Sequence, residues 1–174
     1  MSAHAQPEII PPPFDGIYPS RQLPIRMGFP AKADFEILYD GKGFATAIMA
    51  LREFPRLSRI CRVSGHLLPY RCWNTRQLAT GIHVYDPLFL GLIKHCCDPS
   101  VFLDLSEMRI WSLQDIKKGD RLTMDLASTE DKVLRQFECR CRDAKCRGWI
   151  LGYDESPNAC GERFLRHWHR RRID

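Results

Sequence analysis

No stretch of this 174-residue chain is apolar for long enough to cross a membrane, so neither a spanning helix nor a membrane partner is expected. The basic n-region and apolar h-region of a secretory leader are also missing. The expected location is therefore the cytoplasm, or the nucleus in a eukaryote. Charge of one sign is not in large excess: 26 Lys and Arg stand against 21 Asp and Glu, a net +5. That is too little, by itself, to indicate a nucleic-acid partner. Proline is scarce beyond residue 30, because residues 1–30 hold seven of the twelve, including Pro11-Pro12-Pro13. Proline fixes φ and removes donors, so this arm forms neither a regular helix nor a central strand. Its apolar members Ile9, Ile10, Phe14, Ile17 and Tyr18 leave two readings, an arm laid along the domain or a disordered tail. The remainder has the length of one domain with a real core. At 44% hydrophobic and 27% charged residues its composition is that of an ordinary soluble globular protein.

Helical periodicity is almost absent, and no internal repeat is evident. Short apolar bursts cut by turn residues dominate instead. Phe35–Tyr39 is a strand candidate ending at Asp40-Gly41, and Phe44 to Leu51 is a second, broken by Arg52-Glu53-Phe54-Pro55. Arg59 to Val63 makes a third strand, with a turn at Ser64-Gly65-His66. Residues 67–93 read as further short segments interrupted at Pro69, Asn74, Gly81 and Pro87. Val101 to Leu105 and Met108 to Leu113 form a hairpin-like pair around Ser106-Glu107, and Arg121 to Leu126 is another strand. Only Gly161 to Arg172 reads as a helix, with Phe164, Leu165 and Trp168 at helical spacing. The pattern predicts a compact β-rich domain.

Cysteine is the residue in surplus, with eight copies. Cys139, Cys141 and Cys146 stand in a C-x-C-x4-C pattern within Phe137 to Trp149. A C-x-C pair splays two sulfurs around one residue, and the x4 gap lets a turn return a third. Three thiolates converging at about 2.3 Å on one ion describe a structural zinc site, which a fourth ligand closes. The best donor is Cys97, in Lys94-His95-Cys96-Cys97-Asp98-Pro99. A cluster of buried or disulfide-bonded cysteines is the competing reading, and the absence of a leader favours metal. Cys61, Cys72, Cys96 and Cys160 have no motif spacing and are expected as buried free thiols.

Four segments in order carry a resemblance. They are Gly41-Lys42-Gly43-Phe44-Ala45, then His95-Cys96-Cys97-Asp98-Pro99-Ser100, then Asp115 through Asp125 (DIKKGDRLTMD), then Phe137-x-Cys-x-Cys-x4-Cys-Arg-Gly. Together they resemble the SET-domain methyltransferases with a post-SET zinc motif. In that family the pieces read G-x-G-x-x-A, N-H-S-C-x-P-N, D-I-x-x-G-E-E-L-T-x-D-Y and F-x-C-x-C-x4-C-R-G. Order and spacing agree over roughly residues 34–151. The resemblance implies the SET fold, short curved sheets around a threaded C-terminal segment with a short terminal helix. It divides the chain into a Pro-rich arm (1–30), a SET domain (31–136), a post-SET zinc motif (137–151) and a basic tail (152–174).

The resemblance also implies S-adenosyl-L-methionine as cofactor, structural zinc on Cys97, Cys139, Cys141 and Cys146, and methyl transfer to a protein lysine. Lys42, Gly43 and Phe44 would line the cofactor through their backbone, although most G-x-G triplets are only turns. Lys94 and His95 occupy the family's Asn-His positions, so Lys94 is either a cofactor contact or a solvated charge. Two further positions depart from the pattern. Ser100 replaces an asparagine, and Leu126 replaces the tyrosine whose hydroxyl borders the methyl-transfer channel. Leucine cannot donate a hydrogen bond or polarise an amine. Tyr85 is the substitute nominated for catalysis, against its plainer reading as a half-buried strand tyrosine.

Arg140, Arg142, Lys145 and Arg147 crowd the cysteines, where a tetrathiolate–zinc cluster of net charge −2 would favour cations. Three functions follow. The first is an S-adenosylmethionine-dependent transferase, most simply a methyltransferase with a non-standard acceptor, protein lysine or small molecule. The second is a SET-like binding module that keeps zinc and cofactor without turnover, or other sulfonium chemistry. The third is a zinc-stabilised nucleic-acid binder resting on the basic tail, which more often reads as a solvated helix face.

Overall fold

A computed structural model describes residues 14–171, with side chains through residue 168. Twelve short strands and two α-helices succeed one another. The strands are β1 (Phe35–Tyr39), β2 (Ala45–Ala50), β3 (Arg59–Arg62), β4 (His66–Leu68), β5 (Thr75–Ala79) and β6 (Ile82–Tyr85). They continue with β7 (Lys94–His95), β8 (Val101–Asp104), β9 (Arg109–Ser112) and β10 (Thr123–Met124). After α1 (Leu126–Thr129) come β11 (Phe137–Glu138), β12 (Trp149–Ile150) and α2 (Ala159–Arg171).

The strands form five small sheets: β1-β2, β3-β9-β8, β4-β6-β5, β7-β10 and β11-β12. Four are antiparallel; β7 and β10 alone run parallel. No sheet is large enough to hold a core by itself, so the small sheets close around a common one. Phe35, Phe54 and Phe89 sit at its centre, with Phe35 stacked on Phe54 at 5.3 Å and edge-on to Phe89 at 5.0 Å. Ile48, Leu90, Ile93, Val101, Ile110 and Leu122 are fully buried around them. Each such side chain contributes about 1.5–3 kcal/mol on burial.

The arm is not a free tail where the structure describes it. Ile17 and Tyr18 are buried, and the Tyr18 hydroxyl donates to Asp86 at 2.6 Å. Asp86 also accepts from the backbone N–H groups of Leu88, Phe89 and Leu90. Burial, with that carboxylate beside it, pushes the Tyr18 phenol far above its ordinary value. Ile9, Ile10 and Pro11-Pro12-Pro13 lie outside the described residues.

Most expected strands appear within a residue or two, and the 101–113 hairpin pairs antiparallel as β8 and β9. Two expectations need correcting. The strand over Arg121 to Leu126 shrinks to Thr123–Met124, because the Asp125 side chain accepts from Ala127 N and caps α1 at Leu126. Cys160 is exposed, not buried, while Cys61 is buried and Cys72 and Cys96 are half-buried; all eight thiols are free.

Candidate functional site

The β7–β10 pair is the joint that assembles the site. Lys94 lies opposite Thr123 and His95 opposite Met124, so two motifs almost thirty residues apart become neighbours. Ser100 and Thr123 tighten the joint reciprocally: Ser100 N–H donates to Thr123 Oγ1 at 3.0 Å, and Thr123 N–H to Ser100 Oγ at 2.9 Å. Ser100 therefore fills its position with backbone hydrogen bonds.

Beyond the joint, Cys97, Cys139, Cys141 and Cys146 converge with all four sulfurs within 4.8 Å of one another. The Cys97–Cys139 separation is 3.7 Å. A tetrahedron with Zn–S bonds of about 2.3 Å has edges of roughly 3.8 Å, so the four thiols fit a zinc ion. The loop between Cys141 and Cys146 is closed by Cys146 N–H donating to Asp143 O. Burial raises the Cys139 and Cys146 thiols. Burial opposes ionisation of Cys141 too, but the N–H groups of Cys97 and Asp143 and the neighbouring thiols bring it down to about 6. Arg147 N–H donates to Cys97 Sγ at 3.3 Å, a hydrogen bond that favours thiolate.

The flanking cations also make specific ion pairs. Lys145 reaches Asp98 at 3.1 Å, Arg140 meets Glu138 at 3.8 Å, and Arg147 binds Asp125. Helix α2 covers the same region. Phe164 stacks between Trp149 and Trp168, and Trp168 packs on Gly148. Gly148 is required there: its φ is +77°, and a Cβ would come within 2.6 Å of the Trp168 ring. The tail is thus a lid on the cysteine cluster, with Arg163, Arg166 and His167 on its exposed side.

Beside the cluster opens a cleft of about 710 Å³. Its walls come from edge strand β5 (Thr75, Arg76), from the segment through Lys94 and His95, from Leu126 and Glu130, and from residues 133–141. Trp73 and Trp149 also line it. A smaller hollow of about 290 Å³ on α2 contains none of the motif residues.

His95 connects cleft and cluster. Its side chain is only 3% exposed. Leu126 N–H donates to Nδ1 at 3.2 Å, which puts the ring proton on Nε2, 3.4 Å from Cys97 Sγ. Phe137 meets the imidazole edge-on at 5.7 Å. Burial, aided by Arg147 and opposed by Asp125, lowers the His95 pKa to about 4, so the ring is neutral. The imidazole is spent on internal contacts, and what His95 offers the cleft is its place on β7.

A buried polar network missed by sequence reading supports the opposite wall. Arg76 is 7% exposed and donates to the carbonyls of Thr75, Gly91 and Ile93. Glu130 is 5% exposed and accepts from Gln77 N–H at 3.2 Å. Burial raises its pKa, with Arg76 and Arg71 opposing. Arg71 lies 3.9 Å from Glu130 and pairs with Asp131. Arg76 follows Thr75 in a burst of strand residues with no recognisable spacing, so only the folding of β5 against residues 91–93 reveals it.

The structure brings Lys94, His95 and the four cysteines together, but not the remaining site candidates. Lys42, Gly43 and Phe44 form the β1–β2 turn, where Asp40 accepts the N–H groups of Lys42 and Phe44. None of the three lines the cleft, Phe44 is 67% exposed, and a Cβ on Gly43 would meet nothing within 4 Å. The G-x-G triplet is here a hairpin turn whose Gly43 supplies a φ of +81°. Tyr85 is half-buried in β6 between His66 and Thr75, and it does not line the cleft either.

The small sheets, the parallel joint and the four-thiol knot define the SET-domain fold. Comparison with solved structures agrees. The chain superimposes on KRYPTONITE, a SET-domain methyltransferase, in its complex with mCHG DNA and SAH, with a TM-score of 0.51 and 20% identity. The match covers 66% of this chain and 28% of that one. A second KRYPTONITE structure, with mCHH DNA, an H3(1-15) peptide and SAH, gives 0.51 at 18% identity, covering 66% and 29%. Among curated proteins, methyltransferase flvH of Aspergillus flavus is 27% identical over 103 residues. The chain spans 58% of that relative's length, and the match covers 58% of this chain. No family model matches the sequence. Among the described residues no helix is long and apolar enough to cross a membrane.

Proposed function

We propose that this protein is an S-adenosyl-L-methionine-dependent methyltransferase with zinc in the Cys97, Cys139, Cys141 and Cys146 knot. The observation that carries the reading is the junction itself: a roomy cleft lined by Lys94, His95 and Leu126 directly beside a four-thiol cluster, on a SET fold. The methyltransferase name of the flvH relative and the SAH in both KRYPTONITE complexes support it. When bound, the cofactor supplies a sulfonium methyl group that a nucleophile attacks in line. This chain's part is to position and to exclude water. The β7–β10 joint fixes the floor, Phe137 and the cysteine knot close one side, and the Arg76–Glu130 network stiffens the other. Zinc would act as a structural clamp holding residues 137–149 against Cys97, with no part in the transfer.

Leu126 gives the channel an apolar wall where a hydroxyl would orient an amine. The acceptor is accordingly a non-standard one, either a small molecule or a protein lysine handled without that hydroxyl. The same leucine is the observation that favours the second reading, a binding module that holds zinc and cofactor without turnover. Incubation with S-adenosylmethionine, alone and with protein and small-molecule acceptors, followed by mass spectrometry of adenosine products, separates the two. S-adenosylhomocysteine formed only with an acceptor supports methyl transfer, and methylthioadenosine points to other sulfonium chemistry. Tight binding with neither product establishes the binding module.

A further inference from the structure

Of the strands that border the cleft, β5 is the longest, and it ends its sheet. A free strand edge is the natural template for an extended peptide entering beside it. The Gln77 N–H donates off the ladder to Glu130 Oε1 at 3.2 Å, so Gln77 and, two residues earlier, Thr75 turn their backbone groups to that edge. Three of those groups are already used. Thr75 N–H donates to Cys72 O at 3.3 Å, the Arg76 guanidinium donates to Thr75 O at 2.7 Å, and Glu130 takes the Gln77 N–H. At most the Gln77 carbonyl is left, and one acceptor does not template a strand.

The chain itself lies where a peptide would add. Asp131 N–H donates to Gln77 Oε1 at 2.8 Å, and the Tyr153 and Asp154 N–H groups donate to the Glu130 and Asp131 carbonyls at 3.0 and 2.9 Å. Residues 130–131 are thus stitched between β5 and residues 153–154, so closely that a Cβ on Gly152 would strike the Asp131 carbonyl. Toward β7 the Arg76 guanidinium also holds the Gly91 and Ile93 carbonyls, at 3.5 and 2.6 Å. β11, with two residues, turns the N–H and C=O of only one of them to its outer edge. What the cleft does offer is side chains: Trp73, 73% exposed, and Leu134, 44% exposed, line it together with Leu126, Phe137 and Trp149. Aromatic and aliphatic walls of this kind suit the body of a small ligand.

We propose that the acceptor is a free small molecule with a hydrophobic body, and that the β5 edge, sealed by Glu130 and Arg76, excludes extended protein substrates. This acceptor class deepens the methyltransferase reading and rests on it for the reaction. The acceptor's nitrogen or oxygen forms a bond to the methyl carbon as the sulfonium C–S bond breaks. S-adenosylhomocysteine keeps the electron pair of that bond, and the acceptor's displaced proton passes to water.

The test uses the full, zinc-loaded protein and two probe sets: tryptamine, phenethylamine and tryptophol, and synthetic lysine peptides with Val- and Thr-rich flanks. Calorimetry with S-adenosylhomocysteine present reads binding, and mass spectrometry of S-adenosylhomocysteine formed from S-adenosylmethionine reads turnover. The small molecules are expected to bind, and to react at least about ten-fold faster than the peptides. Peptides that equal or surpass them overturn the acceptor class. Hydrogen exchange of the protein alone reads the edge, where the Gln77 amide should exchange about a hundred-fold slower than an open-edge amide. Glu130→Leu should lose that protection, and Glu130→Gln, which keeps an acceptor, should retain it. A fast Gln77 amide in wild type overturns the seal whether or not Glu130→Leu folds, and so does equal protection in both variants. Small molecules bound without product sink the methyltransferase reading and uphold the ligand class. If neither set binds, the acceptor class falls, while S-adenosylhomocysteine bound under the same conditions keeps the methyltransferase reading.

Discussion

The cysteine knot and the cleft beside it share one wall, yet they are built on opposite principles. In the knot most polar groups are committed: sulfurs converge on each other, Arg147 N–H serves Cys97, and Arg140, Lys145 and Arg147 each meet a carboxylate. In the cleft, neither Lys94 nor Arg135 has a carboxylate within ion-pair distance among the described residues, the Arg76 Nε is unpaired, and Leu126 presents hydrocarbon. A structural site saturates its groups so that one arrangement is stable. A binding site leaves some unsatisfied so that a ligand can finish them. His95 ties the two together, accepting from Leu126 on one edge and facing Cys97 on the other.

The comparison breaks most severely at the knot. Cys141→Ser is expected to release one equivalent of zinc and to unfold residues 137–151, because binding energy in such a site is largely folding energy, about 10 kcal/mol or more. Metal analysis and hydrogen exchange check it, and a wild-type protein purified without zinc would refute the assignment. A chelator should do the same to wild type and collapse the cleft with the knot, since residues 137–141 line both.

A smaller effect tests the bridge. His95→Phe keeps an aromatic ring but leaves the Leu126 N–H unpaired and removes the contact to Cys97. The expected loss is about 1–3 kcal/mol of stability, with zinc and cofactor affinities falling together. If only one of the two falls, knot and cleft are independent and the bridge is incidental.

Leu126→Tyr sharpens the cleft's side of the contrast. A hydroxyl there adds a hydrogen bond worth roughly 0.5–1.5 kcal/mol to an amine acceptor. Methylation of protein lysines, expected to be poor in wild type, should rise by up to about ten-fold. Robust wild-type activity on protein lysines would contradict the non-standard acceptor. The smallest change is expected at Gly43→Val. The φ of +81° costs about 1–3 kcal/mol for a side chain, but cofactor affinity should not change, because this turn is off the cleft. A calorimetric loss of affinity would return the β1–β2 turn to the site.

Much of this was legible before folding. Short apolar bursts bounded by turn residues located β1, β2, β3, β8 and β9, because a strand of a small sheet needs only a few apolar residues between two turns. The thiol set was legible too, since C-x-C-x4-C is a local geometry that few other uses require. The chain alone did not reveal that Asp125 would cap a helix and shorten the last strand, or that Gly41-Lys42-Gly43 would stay a turn away from the cleft. Nor did it reveal that Arg76 and Glu130 would wall the site. Those outcomes depend on which short sheets pack against which, and sheets of two or three strands carry too little local signal to fix their neighbours. Sequence by itself determined the chemistry available: four thiols, a lysine in place of an amide, a leucine in place of a phenol. Tertiary structure decided which of those groups meet, because the parallel β7–β10 joint, made of two residues on each side, is specified by the burial around it and not by its own pattern.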